Sequence, residues 1–333
     1  MSISELTITD SDFLKNIDWI HGDIKILSKD KKDINILWGV QPRDLPNIEF
    51  FVPILQIVEF LKENYTITVL LADIHEMLDS PKLDLAIIQK RCEAYIQLII
   101  AMVELFDVNS YNLKFKYGST FQTSFPYVID TYKISSLTTI QRTYFAREIN
   151  QDIEEKKNII TTDKTMTTLL YPILQALDEK YTNCDIFYGS ITQKNMCIYS
   201  EELMNKFNHK ENKVLYLLQD ITKKFNIKFF DAFEEIEEKL EKYTISDILY
   251  LNKNIVFPII KNIKDKMLFD NIIIEDYQDM VNKIKNNELT NKQLINITTE
   301  YLSKYVNKLY DAILTSQFRY FYECGWMGRT FFH

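Results

Sequence analysis

The chain has 333 residues, 46% hydrophobic, 26% charged and 13% aromatic, with 6 Gly and 7 Pro, which excludes disordered, collagen-like and purely coiled-coil chains. The glycines, Gly22, Gly39, Gly118, Gly189, Gly325 and Gly328, are scattered. A Walker loop or a G-x-G-x-x-G fingerprint needs them clustered so that backbone can approach phosphate, so both are excluded. The 39 basic residues against 47 acidic ones, net −8, disfavour general nucleic-acid coating, so DNA is not an expected partner, while a local basic patch for RNA remains open.

At roughly 100–200 residues per domain, about two domains are expected. Residues 1–32, with Phe13, Ile17, Trp19 and Ile20, read as a helical lead-in. A β/α alternation follows: strand-like DINILWG at 33–39, helical spacing over 48–62, a buried strand TITVLL at 66–71, a long helix over 85–106 and a strand at 112–117. A mostly helical insertion is expected at about 125–163. The alternation resumes with a helix at 165–181, a strand at 185–188, a helix at 193–207 and a strand at 214–218. This predicts an α/β fold with a Rossmann-like parallel sheet over 33–222. Residues 223–333 read as an all-α domain with few strand-like runs, including a helix over 229–242. The end, from Cys324 through Gly325, Trp326 and Gly328 to His333, suits either a docked tail or an exposed binding peptide.

Cys92, Cys184, Cys197 and Cys324 lack C-x-x-C spacing and are expected to be reduced thiols. No leader-like segment opens the chain and no apolar run is long enough to cross a bilayer, so the expected location is cytoplasmic, with no membrane partner. His21, His209 and His333 have no spacing that suggests a triad or a metal site.

Chemistry concentrates in YPILQALDEKY at 171–181. Tyr171, Gln175 and Asp178 are spaced i, i+4, i+7, which lines three hydrogen-bonding side chains along one stripe of an otherwise apolar helix. Such a stripe faces water, a partner or a ligand. The next strand delivers Gly189 and Gln193 to a strand-to-helix turn, the edge at which open α/β sheets bind ligands.

This stretch, with Gln193-Lys194 beyond it, resembles the tyrosine-binding segment of tyrosyl-tRNA synthetases of the archaeal and eukaryotic type, which are class I aminoacyl-tRNA synthetases. Leu37-Trp38-Gly39 with Pro46 and Phe51-Val52-Pro53, then Leu71-Ala72-Asp73-Ile74-His75 with Leu78-Asp79, then Lys116-Tyr117-Gly118-Ser119 with Phe121-Gln122, and Tyr132-Lys133-Ile134-Ser135-Ser136 agree with the family in order and spacing. The resemblance runs from about 34 to 220 and continues weakly into a region corresponding to the anticodon-binding domain. It implies that Tyr171, Gln175 and Gln193 hold the ammonium group of tyrosine, that Asp178 accepts the phenolic proton, and that Leu70, His75 and Gln122 line the pocket. Leu37 stands where the family has a second phenol partner, which puts selectivity for tyrosine over phenylalanine in question.

The ATP side departs most from the family. Where a His-Ile-Gly-His-like motif is expected the chain reads Asn47-Ile48-Glu49-Phe50, without imidazole and with an added negative charge. Where a mobile Lys-Met-Ser-Lys-Ser loop is expected it has QDITKKFNIK, keeping only Lys223 and Lys224. Both motifs supply transition-state charge stabilisation. Where the family has His-Pro-x-Asp-Leu-Lys, the chain has Thr290-Asn291-Lys292-Gln293-Leu294-Ile295. The favoured expectation is a catalytically impaired paralogue, a pseudoenzyme, that keeps a tyrosine pocket and acts by binding ligand, tRNA or protein. The alternative is a divergent active tyrosine–tRNA ligase in which Arg43, Lys223 and Lys224 replace lost phosphate contacts. No catalytic residue, metal ligand or cofactor is assigned, and ATP and Mg²⁺ enter only under the alternative. A homodimer through the 125–163 insertion is expected from the resemblance.

Overall fold

The computed structural model describes residues 12–147, 165–207, 214–229, 231–270, 272–313 and 316–326. His209, His333, the second half of the insertion and the end of the tail lie outside the described residues.

A six-stranded sheet organises the first two thirds of the chain. In chain order its strands are β1 (Trp19–Gly22), β2 (Asn35–Val40), β3 (Thr66–Leu71), β4 (Leu113–Tyr117), β5 (Ile186–Ser190) and β6 (Leu215–Gln219), in spatial order β1-β6-β5-β2-β3-β4. All pairs are parallel except β1 with β6. The chain builds outward from β2 to β4 and then returns to the other side of β2, so the topology switches between β2 and β5. The helices are α1 (Phe51–Lys62), α2 (Asp73–Asp79), α3 (Leu85–Glu104), α4 (Ser119–Gln122), α5 (Phe125–Ser135), α6 (Ile140–Arg147), α7 (Thr167–Tyr181) and α8 (Lys194–Lys206).

Period-two alternation assigns each strand residue to a face. Ile36, Trp38, Val40, Ile67, Val69, Leu71, Ile186, Tyr188, Leu215 and Leu217 join the core beneath α1 and α3. Leu37, Leu70, Phe187, Tyr216 and Leu218 point the other way, into the core beneath α7 and α8. Strands covered on both faces read as continuous apolar runs, which is why TITVLL was legible.

Beyond the sheet come α9 (Phe233–Leu240), α10 (Ile245–Leu251), α11 (Phe257–Asn262), the strands β7 (Met267–Phe269) and β8 (Ile272–Ile274), α12 (Tyr277–Lys285), α13 (Asn291–Ile313) and α14 (Ser316–Trp326). Ile248, Leu302 and Leu309 belong to the same core as β2 and β3, so these helices continue the α1/α3 layer.

The structure corrects several expectations. The lead-in is short 3₁₀ turns followed by β1, an antiparallel edge strand, rather than a helix. The expected helix over 229–242 is confined to Phe233–Leu240, and the strands Met267–Phe269 and Ile272–Ile274 pair antiparallel within the helical region. Cys92, Cys184 and Cys197 are buried free thiols, as expected, and Cys324 is half-buried.

Gly22 closes β1 at φ +104°, and a Cβ there would lie 2.2 Å from the Val214 carbonyl oxygen. Gly22→Ala should therefore lower stability by about 1–3 kcal/mol in urea unfolding; an unchanged midpoint would mean that β1 is dispensable to the sheet. A second test concerns Glu179 on α7, which accepts a hydrogen bond from Tyr216 of β6 at 2.9 Å. Burial pushes its carboxyl up to about 8. An unfolded glutamate titrates near 4.3, so between about pH 4.5 and 8 the folded chain holds a proton the unfolded chain has released, and stability falls as pH rises, on the order of 1 kcal/mol per unit. Glu179→Gln should flatten that slope in pH-dependent denaturant titrations.

Candidate amino-acid pocket

The switch between β2 and β5 opens a cavity at the carboxyl ends of the strands, as this topology favours. It measures about 120 Å³ and is lined by Leu37, Gly39 and Gln41 from β2 and its exit, Leu70 and Ala72 from β3, Phe187 and Gln193 from β5 and its exit, His75 from α2, and Tyr171, Gln175 and Asp178 from α7. That volume is close to the roughly 150 Å³ of an engineered cavity that takes benzene, so one aromatic ring is the fitting scale. A larger groove of about 1400 Å³ lies at the opposite edge of the sheet, by Asn64, Phe106 and Lys261.

Asp178 forms the floor and is 1% exposed. His75 Nε2 lies 2.8 Å from its Oδ2, while Gln122 Nε2 and the Tyr127 hydroxyl donate to Oδ1 at 2.7 and 2.8 Å. A buried carboxylate requires such donors. An ionised Asp178 assigns the His75 proton to Nε2, leaving Nδ1 buried without a partner among the described residues. Gln122 therefore stands behind the wall, holding Asp178, rather than lining the cavity. Burial, then the charge of Asp178, raises the Tyr127 phenol well above its ordinary value, so it stays a donor. Leu37, Leu70 and Phe187 supply the apolar sides.

The other end is polar. Tyr171, whose ring lies 4.3 Å from that of His75, directs its hydroxyl toward Gln41 Oε1 at 3.4 Å. Burial, then the charge of Asp79, pushes its phenol up to about 12. Gln41 Nε2 donates to Glu76 and Asp79 at 2.9 and 3.0 Å. Arg43 and Arg147 both hold Asp79 at 2.5 Å, and the Arg147 guanidinium lies 4.3 Å from the centre of the Tyr171 ring. Burial pushes the Asp79 carboxyl up, but the Gln41 and Arg147 hydrogen bonds and the two guanidinium charges outweigh it and hold it below the ordinary range. The Gln175 side chain makes no hydrogen bond among the described residues, whereas Gln193 Oε1 caps the turn after β5 by accepting from Ser190 N at 3.0 Å.

The two divergent motif segments meet. Asn47 forms an isolated β-bridge with Lys228, and Ile48 N donates to the Ile227 carbonyl at 2.8 Å. Glu49 is buried and lies 4.0 Å from Lys224 Nζ, with burial raising its carboxyl above the ordinary range. Phe50 packs between Trp38 and Tyr95. Lys223 is tied to Asp247 at the start of α10 and lies 5.1 Å from the Tyr250 ring. Gln293 accepts from Thr290 N at 3.0 Å, a capping box for α13. Among the described residues no cluster of His, Cys, Asp and Glu could hold a metal ion, and no helix is long and apolar enough to cross a membrane.

The spacing analysis did not pick out Gln41, Tyr127, Asp79 or Arg147 as pocket residues. Gln41 continues the alternation Leu37, Gly39 beyond the strand end, a signal that could have found it. Tyr127 and Arg147 come from helices of the insertion and carry no local mark.

The family model for class I tRNA synthetases (W and Y) matches residues 29–226. The probable cytoplasmic tyrosine–tRNA ligase of Vairimorpha ceranae is 26% identical over 309 residues, covering 89% of this chain and 91% of that protein. The chicken cytoplasmic tyrosine–tRNA ligase is also 26% identical, over 74% of this chain but only 49% of its own length. The structure of tyrosyl-tRNA synthetase from Archaeoglobus fulgidus complexed with L-tyrosine superposes with a TM-score of 0.74 at 19% identity, covering 90% of this chain and 97% of that one. The fold, and a family match spanning more than half of the residues, lead to one conclusion: the chain belongs to the class I tRNA synthetase family of the tryptophan and tyrosine type.

Proposed function

We propose that this tyrosyl-tRNA synthetase-like chain binds tyrosine or a tyrosine-like amino acid without activating it, and acts through ligand, tRNA or protein binding. One contrast supports the reading: Asp178, Tyr171 and Gln175 surround a ring-sized cavity, while the residues at the ATP-handling positions are engaged with one another. Glu49 is buried with the exposed Lys224 ammonium 4.0 Å away, and Lys223 is tied to Asp247. A buried carboxylate opposes a triphosphate, so these residues do not fit ATP and Mg²⁺, and no step is routed through them.

In this reading the ammonium group meets the neutral oxygen acceptors of Tyr171, Gln41 and Gln175 at the polar end. The ring lies among Leu37, Leu70 and Phe187. A carboxylate offers about four acceptor positions, and three donors already approach Asp178, so a phenol would find one. Leu37 contributes none. Calorimetric titration should show tyrosine binding that Asp178→Ala abolishes, with an advantage over phenylalanine well below the roughly 10⁴-fold of sites built around a hydroxyl. No binding of either amino acid would remove the pocket reading.

The second reading, an active ligase, is favoured by similarity along nearly the full length of the Vairimorpha ceranae protein named a probable ligase. Tyrosine-dependent exchange of pyrophosphate into ATP separates the two: exchange at background level is expected, and robust exchange would establish the ligase.

Self-association is part of the proposal. Phe125, Tyr132 and Ile140 on α5 and α6 are 79, 69 and 60% exposed, an apolar face suited to a second copy of the chain. Light scattering should give a dimer at micromolar concentration, and Phe125→Asp with Tyr132→Asp should give a monomer.

A further inference from the structure

The last described helix reaches the pocket through two side chains of α3, Arg91 and Tyr95. Arg91, in the second turn of α3, donates from Nε to the Gly325 carbonyl of α14 at 2.8 Å and from Nη1 to the Arg43 carbonyl at 2.5 Å. Its guanidinium lies 5.2 Å from the centre of the Trp326 ring. One turn further along α3, Tyr95 stacks on Trp326 with centroids 6.2 Å apart and donates its hydroxyl to the Asp44 carbonyl at 2.5 Å. Tyr95 also meets Phe50 edge-on at 5.8 Å. The close approach of α14 needs the absence of a side chain at Gly325, where a Cβ would lie 2.9 Å from Arg91 Cγ.

The segment held in this way is the irregular connection between β2 and α1. Within residues 41–46 the backbone makes one hydrogen bond of its own, Arg43 N to the Gln41 carbonyl. The carbonyls of Arg43 and Asp44 rest on α3 side chains. The same short segment carries Gln41, which lines the cavity, and Arg43, which holds Asp79.

We propose that α14 is a clasp on the amino-acid pocket: Trp326 and the Gly325 carbonyl fix Arg91 and Tyr95, and these fix the 41–46 connection so that Gln41 and Arg43 complete the polar wall. Arg91, Tyr95 and Trp326 are positioning residues, since none of them lines the cavity. The arginine fork matters because it holds two carbonyls on different segments at once, which a lysine ammonium on a flexible stem does not reproduce. Ligand affinity then depends on a helix more than 200 positions away in sequence. The inference rests on the amino-acid reading of the cavity for its consequence, but not for its geometry.

The test uses the full chain with Arg91→Lys and Trp326→Ala, and two readouts: hydrogen exchange of the Arg43 amide, the hydrogen-bonded one in the connection, with β3 as internal reference, and calorimetry with L-tyrosine. Loop exchange should rise about tenfold or more while β3 stays protected, and tyrosine should bind about tenfold more weakly, as expected for losing a charge-assisted hydrogen bond. Unchanged loop exchange in the folded variants overturns the clasp, as does an equal rise across β3, which would mark general destabilisation. If Trp326→Ala does not fold, the conservative Arg91→Lys decides. If the unaltered chain binds no L-tyrosine, the pocket reading fails alone, and the exchange measurement still decides the clasp.

Discussion

A carboxylate taken out of water must be met by donors, and the architecture around the pocket follows from how that is done for Asp178. Its partners come from separate pieces of chain: His75 on α2, Gln122 on α4 and Tyr127 on α5. Three helices, from the β3-to-β4 and β4-to-β5 connections, are pinned to the floor of one cavity by a residue on α7. Removing a partner would leave buried charge short of a donor, a larger penalty than an exposed ion pair could impose. The floor is thereby rigid before any ligand arrives, the condition under which a small polar set gives selectivity.

The same physics acts differently a few residues away. Glu49 is also a buried acid, but its cationic neighbour, Lys224, stands 4.0 Å off and is largely exposed. Burial raises its carboxyl rather than being overcome. A strongly held anion at the floor and a weakly compensated one beside the 225–228 segment make the two ends of the site unequal. One is an open cavity with apolar sides, and the other is closed on itself by the Asn47 bridge and the Ile48 hydrogen bond.

Much of the fold was legible because its strands are buried on both faces: 66–71 appears as a strand with those bounds, and 85–106 as a helix ending at Glu104. The stripe Tyr171, Gln175, Asp178 was legible from helical spacing, and all three line the cavity. What escaped has physical reasons. β1 is a four-residue edge strand whose pairing with β6 is decided some 200 residues away, and β7 and β8 are three residues each. Such pieces are too short for a period to register. Arg147 and Tyr127 act through tertiary contacts alone. Lys223 carries no local sign that Asp247 holds it, because that contact depends on where α10 begins.

Asp178 and Glu179 are neighbouring acids on α7 with unlike partners. Adjacent residues on a helix point about 100° apart, so two neighbouring acids on α7 enter different surroundings. Asp178 turns toward the cavity and meets three donors, whereas Glu179 turns toward β6, where it accepts from the Tyr216 hydroxyl at 2.9 Å and burial pushes it up to about 8. At neutral pH Glu179 is therefore largely protonated and adds little negative charge behind Asp178. A second full charge there would repel a charge on Asp178. Two neighbouring acids of one helix thus enter unlike surroundings, and Asp178 is the carboxylate that lines the cavity among the described residues.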